Sequence, residues 1–167
     1  MTFNVSLSII YLFLMDKTNK ITITCPDWDT RMDIADKVAS LLKINVLDMD
    51  DYIIRGSVLN GDIEEYSKDS FVGQYGQTMF DMLEQLGYRA YVNGVEEPFV
   101  ISIGNDRNEG NINLMSKTIS INVRLDGRKG LSSKITDYSI LKSKSTNSTA
   151  KEIVKLVTSD ERWSRNL

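Results

Sequence analysis

The chain alternates short apolar runs with polar breaks, and the runs follow two periods. Ile21-Thr22-Ile23-Thr24 alternates β-branched residues and stops at Cys25-Pro26, which predicts a strand entering a loop. After Asp27-Trp28-Asp29-Thr30 the period changes to that of a helix. Ile34, Val38, Leu41 and Leu42 share one face, and Thr30 with Asp33 has capping-box spacing. Asn45-Val46-Leu47 predicts a second short strand, ahead of the acidic turn Asp48-Met49-Asp50-Asp51. Residues 55–77 show little periodicity and four glycines, and predict a loop. A helix is expected from Thr78, with Met79, Met82, Leu83 and Leu86 as its apolar face and Gly87 as its stop. Tyr88–Val92 then predicts a strand closed by the hairpin signal Asn93-Gly94.

Further along, Phe99–Ile103 (FVISI) is the strongest buried-strand pattern, and Lys117–Leu125 alternates as another strand. Ile135–Leu141 is a weaker one. Ser143–Ser148 reads as polar linker, and Thr149-Ala150-Lys151-Glu152 as a capping box opening a terminal helix on Ile153, Val154, Leu156 and Val157. A strand–helix–strand opening, central strands and a closing helix imply an α/β fold with a mainly parallel sheet. Ligands of such sheets sit beyond the carboxyl ends of the strands, so Cys25–Thr30 is the first loop to consider.

The 167 residues suit one domain, assigned to residues 15–167. The run Val5–Leu14 is too short to span a membrane and lacks the basic start and cleavage site of a signal peptide. Residues 1–14 are therefore read as an extra apolar segment or as an extension upstream of a true start at Met15. The net charge of −3 hides a split. Residues 1–110 carry 9 basic and 18 acidic side chains, and residues 111–167 carry 11 and 5. Either the two halves neutralise each other, or an anionic ligand meets the C-terminal third. With no His and one Cys, imidazole acid–base chemistry, Ser-His or Cys-His nucleophiles, ordinary zinc sites and internal disulfides are excluded.

The segment ITITCPDWDTRMDIADKVASLLKINVLDMDDYI resembles the opening of P-loop nucleoside monophosphate kinases, and Ile34-Ala35-Asp36-Lys37-Val38 resembles the phage-type deoxynucleoside monophosphate kinases in particular. Val100–Ile103 followed by Asn105-Asp106-Arg107-Asn108-Glu109 resembles that family's Asp-x-Arg-x-x-Asn-Glu segment in shortened form. Thr118–Arg124 resembles its strand bearing a basic substrate-side residue, and Asp137–Ile140 with Ser148–Val157 resembles its ending. The resemblance implies a three-layer P-loop kinase-like fold of reduced size. It also implies ATP and Mg2+ as cofactors, a nucleotide or deoxynucleoside monophosphate as ligand, and a cytoplasmic setting, that of the host if the chain is phage-encoded.

The phosphate loop departs from the pattern. A working loop, G-x-x-x-x-G-K-[ST], wraps backbone N–H groups around phosphates and supplies a lysine and a magnesium ligand. Here Cys25 and Thr30 replace the glycines, Pro26 removes a donor, and Asp27 and Asp29 bring negative charge. Arg31 stands at the lysine position and Met32 at the metal-ligand position, with Asp33 one residue further on.

Candidate catalytic residues are Arg31, Asp106 and Arg107. Thr30, Asp33, Arg124 and Arg128 are candidates for holding phosphate. Asp50 and Gln77 are candidates on the substrate side, the latter in the segment Tyr75-Gly76-Gln77 that can approach a base or ribose. Each has a plainer alternative. Arg31 also reads as a helix-start surface charge, Asp48-Met49-Asp50-Asp51 as a solvated turn, Asp106-Arg107 as a strand-end ion pair, and RLDGRKG (Arg124–Gly130) as a charged hairpin. Trp28 suggests a contact surface or a cover over the site, and Trp163 a pin for the tail.

Two functions follow. One is a divergent nucleoside monophosphate kinase. The other is a pseudokinase that keeps the fold and acts as a nucleotide sensor, inhibitor or protein-interaction partner. The phosphate loop favours the second. Homodimerisation is compatible with both, and nucleic-acid binding ranks below them because no aromatic platform is interleaved with the basic third.

Overall fold

The computed structural model describes residues 17–104, 109–127 and 135–166. The apolar run Val5–Leu14, the residues Asp106 and Arg107, and Arg128 with Lys129 lie outside them. Five parallel strands form one sheet in the order β2-β3-β1-β4-β5. They are β1 (Lys20–Thr24), β2 (Asn45–Asp48), β3 (Phe99–Ile103), β4 (Ile119–Arg124) and β5 (Tyr138–Leu141). Among the described residues, six helices connect or cover them: α1 (Trp28–Leu42), α2 (Met49–Leu59), α3 (Lys68–Tyr75), α4 (Gln77–Gly94), α5 (Glu109–Met115) and α6 (Thr146–Ser159). No helix among the described residues is long and apolar enough to cross a membrane.

Every residue of β1 and β3 is buried, as expected for strands covered on both faces. Alternation then assigns the faces. Ile21 and Ile23 of β1, Val100 of β3, and Ile119, Ile121 and Val123 of β4 pack against Ile34, Ala35 and Val38 of α1 and Ala150, Ile153 and Val157 of α6. Phe99, Ile101 and Ile103 of β3 pack on the other face against Tyr88 of α4 and Leu114 and Met115 around α5. The register Ile21↔Val100 and Ile21↔Ile119 lines up the carboxyl ends of β1, β3 and β4 at one edge. Asp48, the last residue of β2, pairs with Ser102 at that same edge.

Several sequence expectations need correction. The cap of α1 is Asp27, not Thr30: its carboxylate accepts the Thr30 N–H at 2.9 Å. Leu41 is exposed rather than part of the apolar face. Residues 55–77 are not loop throughout, because α2 runs to Leu59 and α3 covers Lys68–Tyr75. The acidic run after β2 is a helix start. Asp48 caps α2 through the Asp51 N–H, and Asp50 and Asp51 lie in the first turn, where a helix's positive pole favours carboxylates.

The helix expected to stop at Gly87 continues to Gly94, so Tyr88–Val92 is not a strand and Asn93-Gly94 is not a hairpin turn. Gly87 is there for packing, since a Cβ at that position would overlap the Met49 thioether. The buried face of α4 carries Phe80, Glu84 and Tyr88, while Met79, Met82, Leu83 and Leu86 are exposed. Finally, α6 starts at Thr146 with Ser145 as its cap, four residues ahead of the expected cap Thr149. Thr149 is buried, and its hydroxyl accepts the Ser143 N–H.

Candidate functional site

The carboxyl edge of β1, β2 and β3 holds a buried polar cluster. Its centre is Arg31, in the first turn of α1 and only 2% exposed. It is therefore not the surface charge that a helix-start arginine suggests. Its Nε donates to Ser102 Oγ on β3 at 2.7 Å, and its Nη1 to the Cys25 carbonyl at 3.4 Å. Nη2 lies 3.8 Å from Asp48 Oδ2 and has no hydrogen-bond partner among the described residues. Asp48 also accepts from Trp28 Nε1 at 3.2 Å and from the Asp51 N–H at 3.1 Å. Trp28 is thus tied to the end of β2, although 48% exposed. Burial pushes the Asp48 carboxyl above the usual range, Asp50 adds to the rise, and the Asp51 N–H, Arg31 and Trp28 oppose it.

A second carboxyl pair adjoins the first. Glu84, at the middle of α4 and 1% exposed, shares a hydrogen bond with Asp50 and accepts one from Asn111 Nδ2 at 2.7 Å. Burial, then the bond to Asp50 and its charge, push the Glu84 carboxyl up to about 8. At neutral pH it therefore carries a proton and donates to Asp50. The Asp50 Oδ1 atom has no partner among the described residues. Tyr88, one turn on, donates to the Ser102 carbonyl at 2.8 Å, and burial holds its phenol well above the ordinary range.

Gly104 directly follows β3. A Cβ there would stand 3.0 Å from Asp50 Oδ2 and 3.3 Å from Arg31 Nη2, so glycine lets the end of β3 approach these two groups closely. Beside it, Arg31 Nη2 and Asp50 Oδ1 are a buried donor and a buried acceptor with no hydrogen-bond partner among the described residues. A hydroxyl group matches both, since it accepts one hydrogen bond and donates another.

The phosphate side is built differently. β1 ends at Thr24 and α1 begins at Trp28, so Cys25, Pro26 and Asp27 alone connect them. Thr30 donates both its N–H and its hydroxyl to Asp27 Oδ2, and the Arg31 N–H goes to the Asp27 carbonyl. These bonds to Thr30 hold the Asp27 carboxyl below the ordinary range, so it is an anion at neutral pH. The helix N-terminus that would receive a phosphate is occupied by the chain's own carboxylate. Burial pushes the nearby Cys25 thiol up, which makes it a packed, unreactive group.

The remaining candidates are dispersed. Asp33 is exposed on α1, and Gln77 opens α4 with its amide bonded to Asp81 at 2.8 Å. Arg124 closes β4, where its Nε donates to Ser139 Oγ at 3.1 Å. The cluster thus unites Arg31 and Asp50 of the sequence candidates with Asp48 of the same acidic run, and adds Glu84, Ser102 and Asn111. The i, i+4, i+8 series Phe80–Glu84–Tyr88 is the available signal for Glu84, but the four neighbouring apolar residues outweigh it in the sequence.

No family model matches the chain, and no curated protein does. Solved structures do match. Shikimate kinase from Acinetobacter baumannii, in complex with shikimate, superposes with a TM-score of 0.63 at 14% identity, covering 89% of this chain and 97% of that one. The shikimate kinase of Aquifex aeolicus gives 0.61 at 14% identity, with 81% and 94% covered. That of Bacteroides thetaiotaomicron gives 0.59 at 14%, with 83% and 98% covered. The class is therefore settled at the level of fold: the chain has a P-loop kinase fold at small size. The solved structures named here are shikimate kinases at low identity, which supports the fold without singling out the phage-type deoxynucleoside monophosphate kinases.

Proposed function

We propose that this protein is a kinase-fold binding protein without phosphoryl-transfer activity, a pseudokinase, whose ligand is a small hydroxylated molecule such as a nucleoside monophosphate. The observation that carries the reading is the closure of the α1 N-terminus by Asp27. Catalysis in this fold class depends on positioning and neutralising a polyphosphate. Here a three-residue connection containing Pro26 replaces the wrapping loop, and Arg31 is turned down onto Ser102 and the Cys25 carbonyl. Mg2+ with ATP does not fit these residues. Met32 offers no ligand, and the Thr30 hydroxyl is engaged by Asp27.

The unpartnered Arg31 Nη2 and Asp50 Oδ1 support recognition of a hydroxyl on the acceptor side. The nearby carboxyls, Asp48, Asp50 and Glu84, favour hydroxyl donors over a polyanion. A coupled turnover assay with ATP–Mg2+ and each deoxynucleoside monophosphate, and with shikimate as a hydroxylated comparator, tests the reading. The expected result is no product above background. Measurable turnover that disappears in Arg31→Ala would establish a divergent kinase instead.

A further inference from the structure

The opposite edge of the sheet carries a different kind of concavity. At the amino ends of β1 and β4, beside the last turn of α4, lies a cavity of about 540 Å3. A second, of about 340 Å3, adjoins it along α4. Val92, Asn93, Ser116 and Lys117 line both, so the two form one groove. Each volume is within the size range of small-ligand sites.

The charge of this groove is one-sided. Lys17, Lys20, Arg89, Lys117 and Arg162 line it, against the single carboxylate of Glu96. Arg162 is neutralised by Asp137 and Asp160. The other four cations form no ion pair with any described residue. Lys17 donates to the Glu161 carbonyl and Lys20 to the Asn19 side-chain oxygen. The negative pole of α4 also points here, but it amounts to about half a unit charge. It accounts for one of these cations, not four. Lys20 is 5% exposed, and burial pushes its amine below the ordinary lysine range despite the nearby Glu97. An ammonium held there has no paired carboxylate among the described residues.

We propose that this groove binds a small polyvalent phosphate-bearing anion, at a site separate from the Arg31–Asp50 cluster. Lys117 and Arg89 meet the anion from the rim and Lys20 from the floor. The amide of Asn93 supplies a neutral donor between them, the mix that oxyanion sites use. Lys117 comes from the basic C-terminal third. An extended nucleic acid suits the groove less well, because these cations line two adjoining cavities of small-ligand size instead of a long ridge.

The test is titration of the full chain with inorganic pyrophosphate, followed by amide chemical shifts and by calorimetry. Citrate and a short DNA duplex serve as comparators. Saturable shifts should centre on Asn93, Ser116 and Lys117, with citrate and duplex binding more weakly. The paired variant Arg89→Gln with Lys117→Gln should lose about tenfold in affinity. Both side chains are exposed, so the fold tolerates the changes, and the exposed Lys151→Gln on α6 serves as a charge-matched control. Absence of saturable pyrophosphate binding overturns the proposal. So do shifts centred elsewhere, equal loss in the control, unchanged affinity in the paired variant, or tighter binding of citrate or duplex.

Discussion

Replacing Glu84 by Gln should flatten the pH dependence of folding stability between the ordinary carboxylate range and about pH 8. In the native protein the Glu84 carboxyl is raised from 4.5 to about 8 by burial and by Asp50. Between these values the folded chain keeps a proton that the unfolded chain releases. The native state then binds more protons than the unfolded state, so stability falls as pH rises through the window and levels off above about 8. A shift of this size corresponds to a ceiling of roughly 4–5 kcal/mol. Asp27 and Asp160 are shifted the other way, and their contributions are lost on the acid side of the carboxylate range. They do not mask the effect, while Asp48 and Asp36, also raised by burial, leave a residual slope of the same sign in the variant.

The amide introduced by Glu84→Gln keeps an oxygen for Asn111 and an N–H for Asp50 but has no proton to lose. Urea unfolding of both proteins at a series of pH values measures the difference. The variant should be the more stable of the two above pH 8 and should show a shallower slope below it. Parallel slopes would mean that Glu84 is ionised in the native state.

Arg31→Met should cost about 3–5 kcal/mol, the range for stranding one member of a buried ion pair. The guanidinium is the counter-ion of Asp48, whose side chain is 3% exposed, and it also satisfies Ser102 and the Cys25 carbonyl. Met fills similar volume, so the loss reflects charge and hydrogen bonds more than a cavity. Adding Asp48→Asn removes the stranded carboxylate and should recover a substantial part. Denaturant unfolding of the two single variants and the double variant gives the coupling directly. A loss below about 1 kcal/mol would place Arg31 among surface charges.

The sheet was legible because β-branched alternation in Ile21–Thr24 and the apolar run Phe99–Ile103 depend on local pattern alone. The helices after β2 were not. Asp48, Asp50 and Asp51 look like a solvated turn until one knows that Asp48 caps a helix and is buried beneath Trp28. Gly87 reads as a helix stop in isolation, and only its contact with Met49 shows why a glycine sits mid-helix. The apolar quartet of α4 points away from the core because Phe80, Glu84 and Tyr88 take the buried face. Glu84 became a site residue only through a partner, Asp50, that lies in a different helix and well apart in the chain. Of the phosphate loop, the missing glycines were plain in the sequence. The use of Asp27 as the cap that closes the site required the fold.

Calorimetric titration of the full chain with ATP–Mg2+ at neutral pH tests the closed phosphate site most directly. With Asp27 seated on the Thr30 N–H and hydroxyl, no saturable heat is expected at nucleotide concentrations that fill ordinary kinase sites. Saturable, magnesium-dependent binding of ATP that is abolished in Arg31→Ala, while that variant remains folded, would contradict the account.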